Sequence, residues 1–330
     1  MKSKKYVLVT GCAGFIGYHI AINLLKKNYN VVGIDDLNNY YSKKLKLDRI
    51  KNLKKYSKIN KKNFFFLKFN LNNKTKLAGT FKRFSVEKII HLAAQAGVRH
   101  SLIYPEKYLK SNIIGFFNIL ENCKKFKIKK LIFASSSSVY GNLNKDKFSE
   151  KDVTDFPIQF YAATKKSNEV MAHSYAMLYG FHCIGLRFFT VYGPWGRPDM
   201  SIFKFTKKIL NNQPIDIYNK GNHERDFTYI DDVCFAVNKI LKIKITKKNK
   251  FQIFNIGNSR KEKLIKLIKL LEDILKKKAK KNYLGLQKGD VKKTFSNISL
   301  LKSKIKFTPK TNLKNGLIQF VKWYKKYYNL

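Results

Sequence analysis

Acidic residues are scarce in this chain: 21 aspartates and glutamates stand against 68 lysines and arginines, for a formal net charge of +47. Cysteine is scarce as well. Cys12, Cys123, Cys183 and Cys234 lie far apart and make no C-x-x-C pair, which argues against a zinc site and against a disulfide framework. The six histidines show no H-E-x-x-H spacing, so no metal is expected. No apolar run reaches the roughly 18 residues that a membrane-spanning helix needs. The basic start, Met1 to Lys5, is followed by an apolar stretch that breaks at Thr10-Gly11. That stretch is too short for a secretory signal. A cytoplasmic protein with no membrane partner is therefore expected.

The positive charge raises the possibility of a nucleic-acid partner. Lysine, however, runs through nearly every surface-like stretch: Lys43-Lys44, Lys61-Lys62, Lys129-Lys130, Lys247-Lys248 and Lys276 to Lys278. A binding footprint would cluster on one element instead, so the charge reads as compositional drift and no nucleic acid is expected. The competing reading is a basic nucleic-acid-binding protein on a degenerate dinucleotide fold, whose affinity would fall steeply with salt. Hydrophobic residues make up 44% of the 330, enough for a globular protein of one large or two modest domains.

Strand and helix patterns alternate along the chain. Tyr6 to Thr10 is a short apolar run ending at a glycine, Gly14 to Asn28 has helical periodicity, and Val31 to Ile34 is a second strand. Residues 37 to 63 are polar and lysine-rich, a helix with loops. Further strands are expected at Phe64 to Phe69, Lys88 to Leu92, Lys130 to Ala134 and Cys183 to Phe188. Helices are expected over Tyr104 to Phe126 and Tyr161 to Tyr179, the second stopped by Gly180. After Thr190, prolines and glycines mark the loops of a second region. Phe251 to Ile256 reads as a strand returning to the main sheet, and residues 261 to 280 as a basic amphipathic helix. The pattern gives an α/β, Rossmann-type doubly wound parallel sheet with a smaller C-terminal α/β lobe. The expected domains are residues 1–188, with a returning segment near 228–258, and residues 189–330.

Two constellations carry chemistry. Gly11-Cys12-Ala13-Gly14-Phe15-Ile16-Gly17 follows a predicted strand and opens a predicted helix. In such a loop the first glycine permits the turn, the second lets the backbone approach a diphosphate, and the third packs helix against strand. The diphosphate then meets the positive helix N-terminus. Asp35, at the end of the second strand, is placed to accept hydrogen bonds from ribose hydroxyls and to repel a 2′-phosphate, which favours NAD over NADP. The second constellation is Tyr161-Ala-Ala-Thr-Lys165, whose spacing puts a phenol and an ammonium on one helix face. Ser135 to Ser138 lie upstream, where a parallel strand ends. A tyrosine with a pKa near 10 must drop roughly three units, about 4 kcal/mol, to act as a base near neutral pH. A neighbouring ammonium favours that shift.

These segments resemble the extended short-chain dehydrogenase/reductase family of NAD-dependent epimerases and dehydratases. The carriers are Thr10 to Gly17, His91 to Arg99, Ser135 to Gly141 and Tyr161 to Lys165. Within that family the long strings Leu186 to Met200, Arg225 to Asp232 and Asn255 to Asn258 look closest to the UDP-glucuronate 4-epimerase branch. The resemblance implies an isomerase that uses NAD and inverts C4 of a UDP-sugar through a 4-keto intermediate. It implies Ser136, Tyr161 and Lys165 as the catalytic set. It implies a cofactor surface of Gly11, Gly14, Phe15, Ile16, Gly17, Asp35, Asn70, Leu71, Leu92, Ala93, Ala94, Gln95, Asn112 and Ser135, with Tyr161 and Lys165. For the sugar nucleotide it implies Ser136, Ser137, Ser138 and Tyr161, with Thr190, Arg197 and Arg99 toward a carboxylate and Arg225 and Asp290 toward the uridine diphosphate. It also implies a homodimer. The chain departs from the family pattern at Asn70, Lys288 and Ser296-Asn297. The alternatives within the fold are UDP-glucose or UDP-N-acetylglucosamine 4-epimerase and UDP-glucuronate decarboxylase.

Overall fold

A computed structural model of the chain describes residues 4–246, 249–287, 289, 291 and 293–330. The chain forms two compact units. The first comprises residues 1–142, 153–187 and 237–254, and the second residues 143–152, 188–236 and 255–330.

The first unit begins with β1 (Lys5–Thr10), α1 (Phe15–Lys26), β2 (Asn30–Asp35), α2 (Lys43–Ile59), β3 (Phe64–Lys68), α3 (Lys74–Arg83) and β4 (Ser85–His91). It continues through α4 (Val98–Ile103), α5 (Pro105–Tyr108), a π-helical turn (Leu109–Ile114), α6 (Gly115–Lys125), β5 (Lys130–Ser136), α7 (Phe160–Tyr179) and β6 (His182–Phe188). The last strand of its sheet, β7, is Phe251–Ile256. The seven strands lie in the order β7-β6-β5-β4-β1-β2-β3. β1 pairs in parallel with β2 (Val7 opposite Val31) and with β4 (Leu8 opposite Ile89), and β4 pairs in parallel with β5. Strand order therefore reverses at β1, which opens a crevice at the carboxyl ends of β1 and β4.

The apolar runs explain this order. Val7, Leu8 and Val9 of β1 and every residue of β6 are buried, as expected of strands covered on both faces. Leu8, Ile89, Phe116, Ile119 and Phe133 form one core with α3, α6 and the C-terminal half of α7, through Ala172 and Ala176. Burial of each such side chain stabilises the fold by roughly 1.5–3 kcal/mol.

Two expected helices are interrupted. The stretch read as one helix over Tyr104 to Phe126 breaks into α5, the π-helical turn and α6, with α4 ahead of them. The π turn carries Asn112, which is buried and hydrogen-bonded on both sides; a widened turn of this kind re-aims one side chain inward. The helix expected over 261 to 280 is confined to Leu264–Leu275, where Lys276 takes a left-handed conformation (φ 55°). The Glu272 side chain then accepts from the Ala279 amide (2.9 Å) and from Lys281 (3.0 Å), so the following segment turns back as the strand Lys281–Tyr283.

In the second unit, Thr190–Tyr192 pairs in parallel with Phe227–Tyr229. The C-terminal helix Leu313–Tyr328 presents Phe320, Trp323, Tyr324 and Tyr327 to an aromatic cluster that includes Trp195 and Phe203.

Candidate functional site

The glycine loop joins β1 to α1 under tight steric limits. Gly11 has φ +70°, and a Cβ there would lie 2.7 Å from the Ala93 nitrogen; a Cβ on Gly17 would lie 2.0 Å from the Gly11 carbonyl oxygen. Only glycine lets the tip of β4 and the first turn of α1 approach this closely. The Gly11 amide donates to the Ile34 carbonyl (2.7 Å), which ties the loop to β2. α1 begins at Gly14 with no side-chain cap and no acidic residue in its first turn. Its leading amides thus lack partners within the helix, and no acidic side chain of its own first turn meets the positive end of the helix dipole.

Asp35 closes β2 beside this loop. Its carboxylate accepts from the amides of Ala13 (3.1 Å) and Leu37 (2.9 Å). Burial pushes its carboxyl above the usual carboxylate range, against the opposing pull of the Leu37 amide and the Lys46 ammonium. Each oxygen has a second lone pair, so the group can still accept from ribose hydroxyls. Arg49, fully buried on α2, donates to the Ala13 carbonyl (2.8 Å) and to the Tyr41 hydroxyl (2.7 Å) and so braces the loop from below. Asn70 donates to Asp36 (2.9 Å), while its side-chain oxygen accepts from the Asn72 amide (3.0 Å). Leu71 is buried, and its carbonyl accepts from Asn118.

The tip of β4 is fixed by a second set of bonds. His91 Nδ1 and Thr10 Oγ1 are 2.8 Å apart, and Thr10 Oγ1 accepts from the Ala93 amide (3.2 Å). Burial, helped by the Lys165 charge, lowers the His91 pKa to about 3, so this imidazole is neutral. Beyond Leu92, Ala93 and Ala94, the Gln95 amide donates to Asn112 Oδ1 (2.8 Å), and Asn112 Nδ2 donates to the Gln95 carbonyl (3.0 Å) and to Thr164 Oγ1 (3.0 Å). Asn168 donates to the Asn112 carbonyl (2.7 Å). Asn112 thereby joins the β4 loop to α7. Gln95 Nε2 is buried with no partner among the described residues. Arg99 is exposed on α4.

Tyr161, Lys165 and Glu169 fall one turn apart on α7 and form one column. The Tyr161 amide donates to Ser101 Oγ (3.3 Å), and its ring lies edge-on to Tyr108 at 6.1 Å. Lys165 is buried; its ammonium donates to the Ala134 carbonyl of β5 (2.9 Å), and burial lowers its pKa to about 8. At neutral pH it remains largely charged. Ser136 ends β5, and its hydroxyl oxygen accepts from the Ser138 amide (3.2 Å) and lies 3.1 Å from Ser138 Oγ. Ser137 and Ser138 follow in a short 3₁₀ turn, Ser137–Tyr140. The Ser135 hydroxyl donates inward to Glu169 (2.5 Å), so only its backbone and remaining lone pairs are left for a ligand.

In the second unit, the Thr190 amide donates to the Asp226 carbonyl (3.1 Å). The Asp226 carboxylate, fully buried, accepts from the amides of Asn258, Ser259 and Ser296 and from the Ser296 hydroxyl (2.5 Å), and this fixes the strand that follows Arg225. Arg225 is half-buried and donates to the Glu224 carbonyl (3.0 Å). Arg197 forms a bidentate pair with Asp199 (Nε–Oδ1 3.0 Å, Nη2–Oδ2 2.5 Å). Asp290 and Lys288 lie outside the described residues.

The first unit thus brings together the glycine loop, Asp35, Gln95, Ser136, Tyr161 and Lys165, while Thr190, Arg197 and Arg225 belong to the second. The sequence reading misses Arg49, Thr164, Glu169 and Arg187. For Glu169 a signal exists, since it repeats the four-residue step from Tyr161 to Lys165. Among the described residues no group of three histidine, cysteine, aspartate or glutamate side chains could hold a metal ion, and the four cysteines are buried and form no disulfide.

The features of the first unit fit NAD: a glycine turn that a Cβ would fill, an uncapped helix start, a strand-end carboxylate and the side-chain nitrogen of Gln95, which has no partner among the described residues. Comparison with known proteins agrees. Residues 7–257 match the pattern of the NAD dependent epimerase/dehydratase family. Protein CapI of Staphylococcus aureus is 48% identical over 98% of this chain and 99% of its own. UDP-glucuronate 4-epimerase 4 of Arabidopsis thaliana is 43% identical over 98% of this chain and 76% of its own. Among solved structures, UDP-glucuronic acid 4-epimerase from Bacillus cereus, in complex with UDP-glucuronic acid and NAD, superimposes with a TM-score of 0.90 at 36% identity, over 98% of this chain and 100% of that one. The chain belongs to the NAD dependent epimerase/dehydratase family.

Proposed function

We propose that this chain is an NAD-dependent UDP-sugar 4-epimerase and that its substrate is UDP-glucuronate, which it converts to UDP-galacturonate. The reading rests on one observation above the others: a buried ammonium, Lys165, lies one helical turn from Tyr161 on a helix bonded to the tip of β5, beside a loop shaped for a dinucleotide. When bound, NAD supplies an acceptor for the C4 hydride that also returns it. Gly11, Gly14, Gly17, Asp35 and Gln95 would hold it. The chain's own residues handle the proton. The Tyr161 phenolate takes the proton of the 4-hydroxyl as the ketone forms, and gives one back when the ketone is reduced from its other face. Lys165 keeps that phenolate ionised near neutral pH. The Ser136 hydroxyl, with Ser138 beside it, hydrogen-bonds the reacting oxygen.

The choice of uronate is supported by the named relatives; Arg197, which pairs bidentately with Asp199, would be the partner for the sugar carboxylate. With Thr190, the Arg197 guanidinium, on exchanging Asp199 for the substrate, would hold the sugar carboxylate away from alignment with the 4-keto group and so oppose loss of carbon dioxide. A homodimer is part of this proposal; the exposed apolar residues Phe117 on α6 and Val170 and Leu178 on α7 support it, and light scattering of the purified protein tests it. The function itself is tested by incubating the purified protein with UDP-glucuronate and, separately, UDP-glucose, and identifying the product sugars. UDP-galacturonate as the main product is expected. A higher kcat/KM on UDP-glucose, or release of a pentose, overturns the choice of substrate; no turnover of any UDP-sugar overturns the whole reading.

A further inference from the structure

The chemistry proposed above uses Tyr161, Lys165 and Ser136, and leaves an ion pair unexplained. Glu169 and Arg187 are both buried, with about 5% of each side chain exposed, and they bond twice: Arg187 Nε to Glu169 Oε1 at 2.9 Å and Nη2 to Oε2 at 2.8 Å. A buried pair of this kind is weak support for a fold, because apolar side chains of similar volume do as well or better. Its placement suggests another use. Glu169 accepts from the Ser135 hydroxyl (2.5 Å), immediately before Ser136. The Arg187 guanidinium lies over the ring of Tyr140 (4.8 Å to its centre), at the far end of the turn that begins with Ser137. Arg187 also reaches Thr154 (3.5 Å). The pair therefore holds both ends of the serine turn. One helical turn away, Lys165 holds the Ala134 carbonyl.

We infer that the Glu169–Arg187 pair is a positioning element for the reaction: it locks the turn carrying Ser136 and Ser138 to the helix carrying Tyr161 and Lys165, so that hydroxyl, phenol and ammonium keep one geometry. This rests on the epimerase reading of that site. Glu169 and Arg187 touch no reacting atom, and they act through Ser135 and Tyr140. Misplacement of a reacting group by about 1 Å can reduce rate by about a hundredfold.

Three variants test this. Ser135→Ala cuts one tether and leaves the charges paired. Ser135→Thr keeps the hydroxyl. Glu169→Met with Arg187→Met removes the clamp while avoiding an unpaired buried charge. In each, kcat and KM on the UDP-sugar that the wild type converts, kcat per NAD-bound site, and the melting temperature are measured. Amide hydrogen exchange of residues 134–141 is followed in the same samples. Ser135→Ala and the double variant are expected to lose kcat by about tenfold or more with KM within about twofold, while the double variant melts no lower than wild type and Ser135→Thr recovers most of the rate. Exchange across 134–141 should quicken in the two deficient variants. If kcat per NAD-bound site is unchanged in both, or falls only in step with melting temperature, the pair is structural and the inference fails. Exchange reads the clamp without turnover: unchanged exchange overturns the clamp, whereas a wild type that converts no UDP-sugar but shows quickened exchange in the variants overturns the function and keeps the clamp.

Discussion

Lys165→Met should stabilise this protein while removing its activity. In the folded chain, burial lowers the Lys165 pKa from 10.5 to about 8. The difference of about 2.5 units, at 1.36 kcal/mol per unit, is about 3.4 kcal/mol of unfavourable free energy for carrying the charge into the fold. The sign follows from proton counts. Between the folded and unfolded pKa values the folded state binds fewer protons, so stability rises with pH across that window. Below about pH 8 the full penalty stands, and above about 10.5 it is gone. Methionine removes the penalty but leaves the Ala134 carbonyl without its 2.9 Å partner, a loss of about 1–2 kcal/mol. The net expectation at pH 7 is a gain of about 1–3 kcal/mol. By pH 9.5 the wild-type penalty falls to about 1.4 kcal/mol, and the advantage of the variant should shrink to near zero. Urea unfolding of the cofactor-free protein at both pH values measures this, and turnover should drop by about a thousandfold or more as the phenolate loses its counter-charge. A variant less stable than wild type at pH 7, or a stability difference that ignores pH, would refute the assignment of a desolvated ammonium.

The same group sets a pH limit on turnover: kcat should fall above a pKa near 8 as Lys165 loses its proton, and Lys165→Arg, permanently charged, should remove that alkaline limb from whatever activity remains. Tyr161→Phe deletes the oxygen proposed as acid and base and should lower kcat by about a thousandfold or more while equilibrium dialysis still shows tight NAD and UDP-sugar binding. Asn112→Ala strips partners from Gln95 and Thr164 at a fully buried position and should destabilise the protein by about 2–4 kcal/mol, read by urea unfolding. Arg197→Ala should raise KM for UDP-glucuronate about tenfold or more with little change for UDP-glucose, and should release a decarboxylated by-product detectable by mass spectrometry.

Much of the first unit is legible in the sequence because its strands are covered on both faces. Val7 to Val9, Val31 to Ile34 and Leu131 to Phe133 then appear as unbroken apolar runs, and their ends mark the crevice. Tyr161 and Lys165 are legible for a different reason: a four-residue step needs only one helix to bring two groups together. Arg187 shows the limit of this. Its partner Glu169 is 18 residues away on another element, and nothing local distinguishes a buried arginine from a surface one. Arg49 is obscured in the same way, since a lysine-rich stretch gives no sign that one of its cations is fully buried against the Ala13 carbonyl. The π turn at Asn112 is equally hidden, because apolar spacing on either side fits one continuous helix and only the bonds to Gln95 and Thr164 show why the turn widens.

The buried charges show where stability has been traded for geometry. Across a surface holding most of 68 basic residues, ion pairs such as Lys110–Glu106 are exposed and each contributes little. Asp35, Lys165, Glu169 and Arg187 are buried charged groups in the first unit, where desolvation weighs most. Each is bonded to backbone or to another side chain near the glycine loop or the serine turn: Asp35 to the amide of Ala13, Lys165 to the carbonyl of Ala134, Glu169 to Ser135. If stability alone had shaped these positions, apolar residues would serve them as well or better. On the proposed reading, their charges instead fix the parts of the backbone from which a dinucleotide and a proton-transferring phenol would be held, which is why the same substitutions that strengthen the fold should silence the enzyme.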